Sequence, residues 1–161
     1  MACLPETPMQ LHLEHDPIRL RPGHGEDVCL PLSLTALLAG GLQRFPPSEA
    51  ALERAIARTE DALMPQIPAL RAHPPLQLDC ADAVLAPLTG LLVLPAQARP
   101  VLQIEQVEHT FNLLARVAAG MPARSVGLPE QPGFVAALVV VRELMHHVGW
   151  RQLRLGDPAH D

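Results

Sequence analysis

Residues 132–149 read PGFVAALVVVRELMHHVG, and the reading of this stretch decides the fold. Residues 134–141 form the longest unbroken apolar run in the chain, after which Arg142, Glu143, His146 and His147 turn the sequence polar. The stretch is too long for a strand. Pro132 sits where a first helical turn tolerates proline, and Gly149 stands where a helix ends. At 3.6 residues per turn, Phe134, Leu138, Val141, Met145 and Val148 make one continuous stripe. Val135, Val139 and Val140 lie on the other side and demand cover there. The expectation is a central helix, buried on all sides in its first half, whose second half meets a polar surface or cleft.

Working outward, residues 150–155 alternate in polarity and predict a last strand that could pair with the chain's beginning. Residues 122–131 form a loop rich in Pro and Gly. Before it, an amphipathic helix runs from roughly Gln103 to Ala119, with Val107, Phe111, Leu114 and Ala118 as its core stripe. Ser48 after two prolines caps a surface helix that Pro65 stops, and Ser33 caps a shorter one ended by Gly40 and Gly41.

Alternation at Met9, Leu11 and Leu13, a turn at Asp16-Pro17 and alternation again at 18–21 predict a hairpin, with a short strand at 28–30. Prolines at 65–75 suggest an extended connector. Asp79 and Asp82, three apart, resemble an acidic cap for a helix from Cys80 to about Leu85. Leu91 to Leu94 reads as a strand or a buried extension. The predicted fold is α+β, predominantly helical. About four helices surround the central C-terminal one, beside a small antiparallel sheet from the N-terminal hairpin and the C-terminal strand. All 161 residues fit a single domain, with 1–8 and 156–161 as loose tails.

Composition closes several classes of chemistry. Apolar residues make up 48% and charged residues 18%, with a net charge of −5 and no basic cluster, which argues against nucleic-acid binding. All 12 basic residues are arginine, and tyrosine is absent. Without lysine there is no Schiff-base enzyme and no phosphate-loop lysine. The scarcity of Lys, Asn, Tyr and Phe suggests a GC-rich bacterial genome. Three scattered cysteines, no signal core and no span of the roughly 20 apolar residues that cross a bilayer point to a cytoplasmic protein without membrane association.

Three constellations could carry chemistry. Glu143, His146 and His147 have the three- and four-residue spacings that share a helix face, and carboxylate-x-x-His is a metal-ligand spacing. An ordinary explanation exists as well, because histidines at a helix C-terminus complement the macrodipole. Glu105, His109, Asn112 and Arg116 share the polar face of the preceding helix, ordinarily a solvated one. In a functional version His109 would stand across a cleft from Glu143 and His147, and Arg116 would hold an anionic substrate. Gly23-His24-Gly25-Glu26-Asp27 reads as a solvated turn. Cys29 and Cys80 read as small buried residues, and no complete nucleophile or glycine-rich nucleotide motif is present.

The expectation that follows is a non-catalytic bacterial accessory domain that binds a protein partner or itself as a homodimer, with no cofactor. The alternative is a small metal-dependent or acid/base enzyme. Its catalytic candidates are Glu143, His147, His109 and Arg116, and its candidate ligands for a divalent metal are Glu143, His146, His147 and His109.

Overall fold

The alternation at the N-terminus does build strands, and they open a sheet wider than the sequence suggests. The structure is a computed structural model that describes residues 8–72, 77–92 and 99–156. Strands β1 (Met9–His12), β2 (Ile18–Arg21) and β3 (Val28–Leu30) form an antiparallel meander. β4 (Gln77–Cys80) then pairs parallel to β1, with Met9 opposite Leu78 and Leu11 opposite Cys80. β6 (Gln152–Leu155) pairs parallel to β4, and β5 (Val101–Gln103) closes the far edge antiparallel to β6. The sheet therefore has six strands in the order β3-β2-β1-β4-β6-β5.

Three long helices cover one face of this sheet: α2 (Glu49–Leu63), α5 (Ile104–Ala118) and α7 (Pro132–Val148). Shorter ones, α1 (Leu34–Leu37), α3 (Ile67–Arg71), α4 (Pro87–Leu91) and α6 (Ala123–Val126), lie in the connections. The two expected serine caps are present, whereas Gly40 and Gly41 lie inside a further turn, Leu38–Leu42, and do not end the first helix. The Ser33 hydroxyl accepts from the Ala36 N–H at 3.0 Å and the Ser48 hydroxyl from the Ala51 N–H at 3.1 Å. Gly149 ends α7 with φ 97°, a left-handed conformation that glycine adopts without a steric cost.

α7 is the core element. Every residue from 134 to 141 is at most 1% exposed, so both the Leu138 stripe and the opposite valine face are covered. α2 and α5 flank it, and the inward side chains of the sheet (Leu11, Leu20, Leu78, Leu153) belong to the same cluster. Each fully buried large apolar side chain contributes roughly 1.5–3 kcal/mol, which makes α7 the densest source of stability in the chain.

Several expectations need correction. The sheet is not a small antiparallel one, because parallel strands join its two halves. The C-terminal strand pairs with β4 and β5, and β4 separates it from the hairpin. The helix expected from Cys80 to about Leu85 is replaced by a central strand, residues 77–80, whose Leu78 and Cys80 face the helices, with only a short 3-10 turn at Ala83–Leu85 after it. Asp82 imitated a cap, but its carboxylate instead accepts the N–H groups of Leu13 and Glu14 just past β1. Much of the supposed connector is helical. Pro65 and Pro68 occupy first-turn positions of short helices, where the missing N–H costs nothing. The tails at 1–7 and 157–161, residues 73–75 of the connector, and residues 93 and 94 lie outside the described residues. Among those described, no helix is long and apolar enough to cross a membrane.

Leu138→Asp is expected to abolish folding, read as loss of the cooperative urea transition. Leu138→Ala should keep the transition and lower stability by about 2–5 kcal/mol.

Candidate functional site

The polar half of α7 does not simply leave the core. Glu143 is completely buried, and so are Leu144 and Met145 beside it. A buried carboxylate must be hydrogen-bonded or paired to be tolerated. Glu143 meets that demand twice. Its Oε1 accepts from Arg142 Nη1 at 2.7 Å, and its Oε2 lies 3.0 Å from His147 Nε2, one helical turn on. The same His147 nitrogen is 3.4 Å from Glu60 Oε1, which α2 brings in from 87 residues away in sequence. Arg142 is itself held in place, with its guanidinium carbon 4.8 Å from the centre of the Phe111 ring on α5. The end of α7 is closed by Arg71 from α3, whose Nη2 donates to the His147 carbonyl oxygen at 2.8 Å.

Glu60, Glu143 and His147 thus offer two carboxylate oxygens and one imidazole nitrogen, all within 4.8 Å of one another. Such a group could hold a metal ion. Ligand atoms about 2.0–2.2 Å from a common ion stand roughly 3–3.5 Å apart, so the 3.0 and 3.4 Å separations already match. The donor set is mixed N and O, which suits borderline divalent ions. Exposure is graded. The Glu143 side chain is 0% exposed, His147 24% and Glu60 41%, so one side of the cluster is fixed and the other faces solvent.

The structure joins only some of the sequence candidates. Glu143 and His147 come together. His146 points to Glu108 of α5, with its Nδ1 3.4 Å from Glu108 Oε1, and its ring lies edge-on to His147 at 5.2 Å. His109 and Arg116 lie on the exposed face of α5, and the structure does not bring them to the cluster. The residue that sequence reading missed is Glu60, which looked like one charge among several on a surface helix. Its only local signal is its position beside the buried Thr59, at the margin of the apolar stripe.

A second polar locality lies on the sheet face opposite the helices. Asp79 of β4 is buried there and accepts from Arg99 Nη2 at 2.8 Å and Arg154 Nη2 at 2.6 Å. A cavity of about 220 Å3 adjoins it, lined by Gln10, His12, Asp79, Ala81 and Arg99 among others. Burial lowers the pKa of His12 from its ordinary 6.5. His15, Arg21 and Arg19 lower it further, and Asp82 opposes them. The turn that follows β1 carries Glu14, His15, Asp16 and Pro17, with no glycine. Cys80 is buried, with its thiol pushed up to about 12, which makes it a poor nucleophile, whereas Cys29 is exposed, contrary to expectation.

No family model matches the sequence, and no curated protein matches it. Solved structures do. A structure described as the Aquifex aeolicus PPX-GPPA enzyme superimposes with a TM-score of 0.69 at 16% identity, covering 92% of this chain and 52% of that one. A second, the Aquifex aeolicus member of the Ppx/GppA protein family, gives 0.60 at 13% identity, with 92% and 51% covered. A third, described as the type II variant of the Aquifex aeolicus Ppx/GppA phosphatase, gives 0.58 at 14%, with 92% and 52% covered. The likeness establishes the fold, and the chain spans about half the length of these structures.

That fold overturns the expectation of a non-catalytic interaction domain, because the architecture it reproduces is half of proteins described as an enzyme and a phosphatase. The expectation rested on the lack of a complete motif within the sequence. A site assembled from helices far apart in the chain leaves no such motif.

His12 supplies a pH test. With its folded pKa lowered, the native state resists protonation while the unfolded state accepts it. Its contribution is therefore fully present above pH 6.5 and is lost as pH falls below 6.5 toward the folded value. Urea midpoints from about pH 8 to about pH 5 should show the parent losing stability relative to His12→Gln. A constant difference would remove His12 from the acid response.

Proposed function

We propose that this chain forms the metal-dependent half of a phosphatase-type enzyme, with Glu60, Glu143 and His147 holding a divalent cation. The observation that carries the proposal is the convergence of Glu143 and Glu60 on one nitrogen of His147, at 3.0 and 3.4 Å. The fold supports it, since the similar structures, about twice this length, are described one as an enzyme and another as a phosphatase.

Each residue has a role that its surroundings suit. Glu143 is the fixed ligand, because burial and Arg142 leave its carboxylate one orientation. The His147 ring is oriented by Glu143 and Glu60, which lie 3.0 and 3.4 Å from its Nε2, while Arg71 fixes the helix end at its carbonyl. Glu60 is the solvent-facing ligand and can adjust. A bound cation here would polarise a phosphoryl oxygen and make a coordinated water acidic. Arg71 and Arg142 bring positive charge beside the cluster, which favours an anionic substrate near it.

Calorimetric titration of metal-free protein with Mn2+ tests the site. The parent should bind one ion, and Glu143→Gln, His147→Ala and Glu60→Gln should each weaken binding by about tenfold or more. Hydrolysis of p-nitrophenyl phosphate should require the metal and fall in each of the three variants. Equal Mn2+ affinity in the parent and in Glu143→Gln would refute this assignment.

A further inference from the structure

Arg142 and Glu143 are neighbours in sequence, and neighbouring positions on a helix do not normally face each other. Here the long arginine side chain folds back to reach the carboxylate, and its guanidinium spends one N–H on Glu143 Oε1 at 2.7 Å. The other oxygen, Oε2, is the one turned toward His147 and Glu60. Arg142 is not free to swing away. Phe111 lies under its guanidinium, its side chain is 25% exposed, and its Nε is buried without a hydrogen-bond partner among the described residues. An arginine that keeps an unsatisfied Nε while directing Nη1 at one carboxylate oxygen is held by packing in that single pose.

The consequence concerns the choice of metal and rests on the reading of Glu60, Glu143 and His147 as a cation site. We infer that Arg142 occupies Oε1 so that Glu143 can ligate through Oε2 alone, which sets the site's preference for a small or borderline divalent ion over calcium. Calcium takes six to eight oxygen ligands and commonly uses a carboxylate through both oxygens. Zinc is usually four-coordinate and manganese octahedral with six donors. Neither needs the extra carboxylate oxygen that a calcium site of seven or eight donors uses, and an imidazole among the donors suits zinc best. A carboxylate limited to one oxygen, beside an imidazole, penalises calcium on both counts. Arg142 thus acts through Glu143 as a positioning residue and does not touch the ion.

The test is the ratio of Mn2+ to Ca2+ affinity, measured by calorimetry on metal-free protein. In Arg142→Met the apolar stem still covers Phe111 while Oε1 is released. The ratio should fall by about tenfold or more, chiefly through stronger calcium binding. Arg142→Lys keeps a cationic donor and should hold the ratio near that of the parent. A general loss of packing would weaken both ions together and leave the ratio unchanged, and that result overturns the inference. If Arg142→Met does not fold, Arg142→Leu, which also lacks a donor, is measured in its place with the same expectation.

A metal-free readout separates this inference from the function proposed above. The His147 ring nitrogens, followed by 15N NMR, should shift in Arg142→Met and keep the parent's values in Arg142→Lys, because the pose of Glu143 fixes its bond to His147. Should the parent bind no metal at all, the cation-site reading fails. Unmoved His147 signals in Arg142→Met would show that Arg142 does not position Glu143.

Discussion

The burial of α7 on every side is the constraint from which the rest of the architecture follows. A helix with leucine, phenylalanine and methionine on one stripe and valines on the other cannot rest on a hairpin, because part of it would stay wet. It needs helices on both flanks and a sheet broad enough to floor it. The chain provides α2 and α5 as flanks, and the floor widens when the β1–β2–β3 meander joins the β4–β6–β5 half through the parallel pairs. Those pairs require crossover connections, and the helices are the crossovers. One apolar helix and one wide sheet therefore imply each other.

The same packing explains why a charged group can sit so deep. α7 must continue past its apolar run to reach β6, and it carries Glu143 with it into a layer where water is excluded. A lone carboxylate there would be untenable. Arg142 and His147 flank it on the same helix, and Glu60 arrives from α2 because α2 has to pack against α7 in any case. The cluster is a product of the core's geometry, and its chemistry is available because the core brings three titratable side chains together at one helix end. Its position also separates it from the Asp79–Arg99–Arg154 layer. That layer lies on the other face of the sheet, toward which Gln10 and His12 point in alternation with the inward Met9 and Leu11.

The likeness to the Aquifex aeolicus structures is one of shape, reached at 13–16% identity. One shape at such low identity is expected where the core needs only apolar volume of the right pattern. Side chains at a site are a different matter, since they are constrained by chemistry, and the Glu60–Glu143–His147 group has to be judged on its own geometry in this chain.

Much of the fold was legible in the sequence. The period of 3.6 at 132–148 and at 104–118, the serine caps, and the alternation at 9–13 and 18–21 are local patterns, fixed by how a helix or strand presents its side chains. Composition alone closed lysine-based and tyrosine-based chemistry. What the sequence could not determine was decided by tertiary packing. β4 is four residues long, and its Leu-Asp-Cys alternation is too brief to announce a central strand. Parallel pairing leaves no turn signal, because its partners are distant in the chain. Glu143 and His147 were visible as a pair because one helix carries both. Glu60 was not, because only the packing of α2 on α7 makes it their neighbour. Local periodicity names the elements, and the burial of α7 chooses which of them meet.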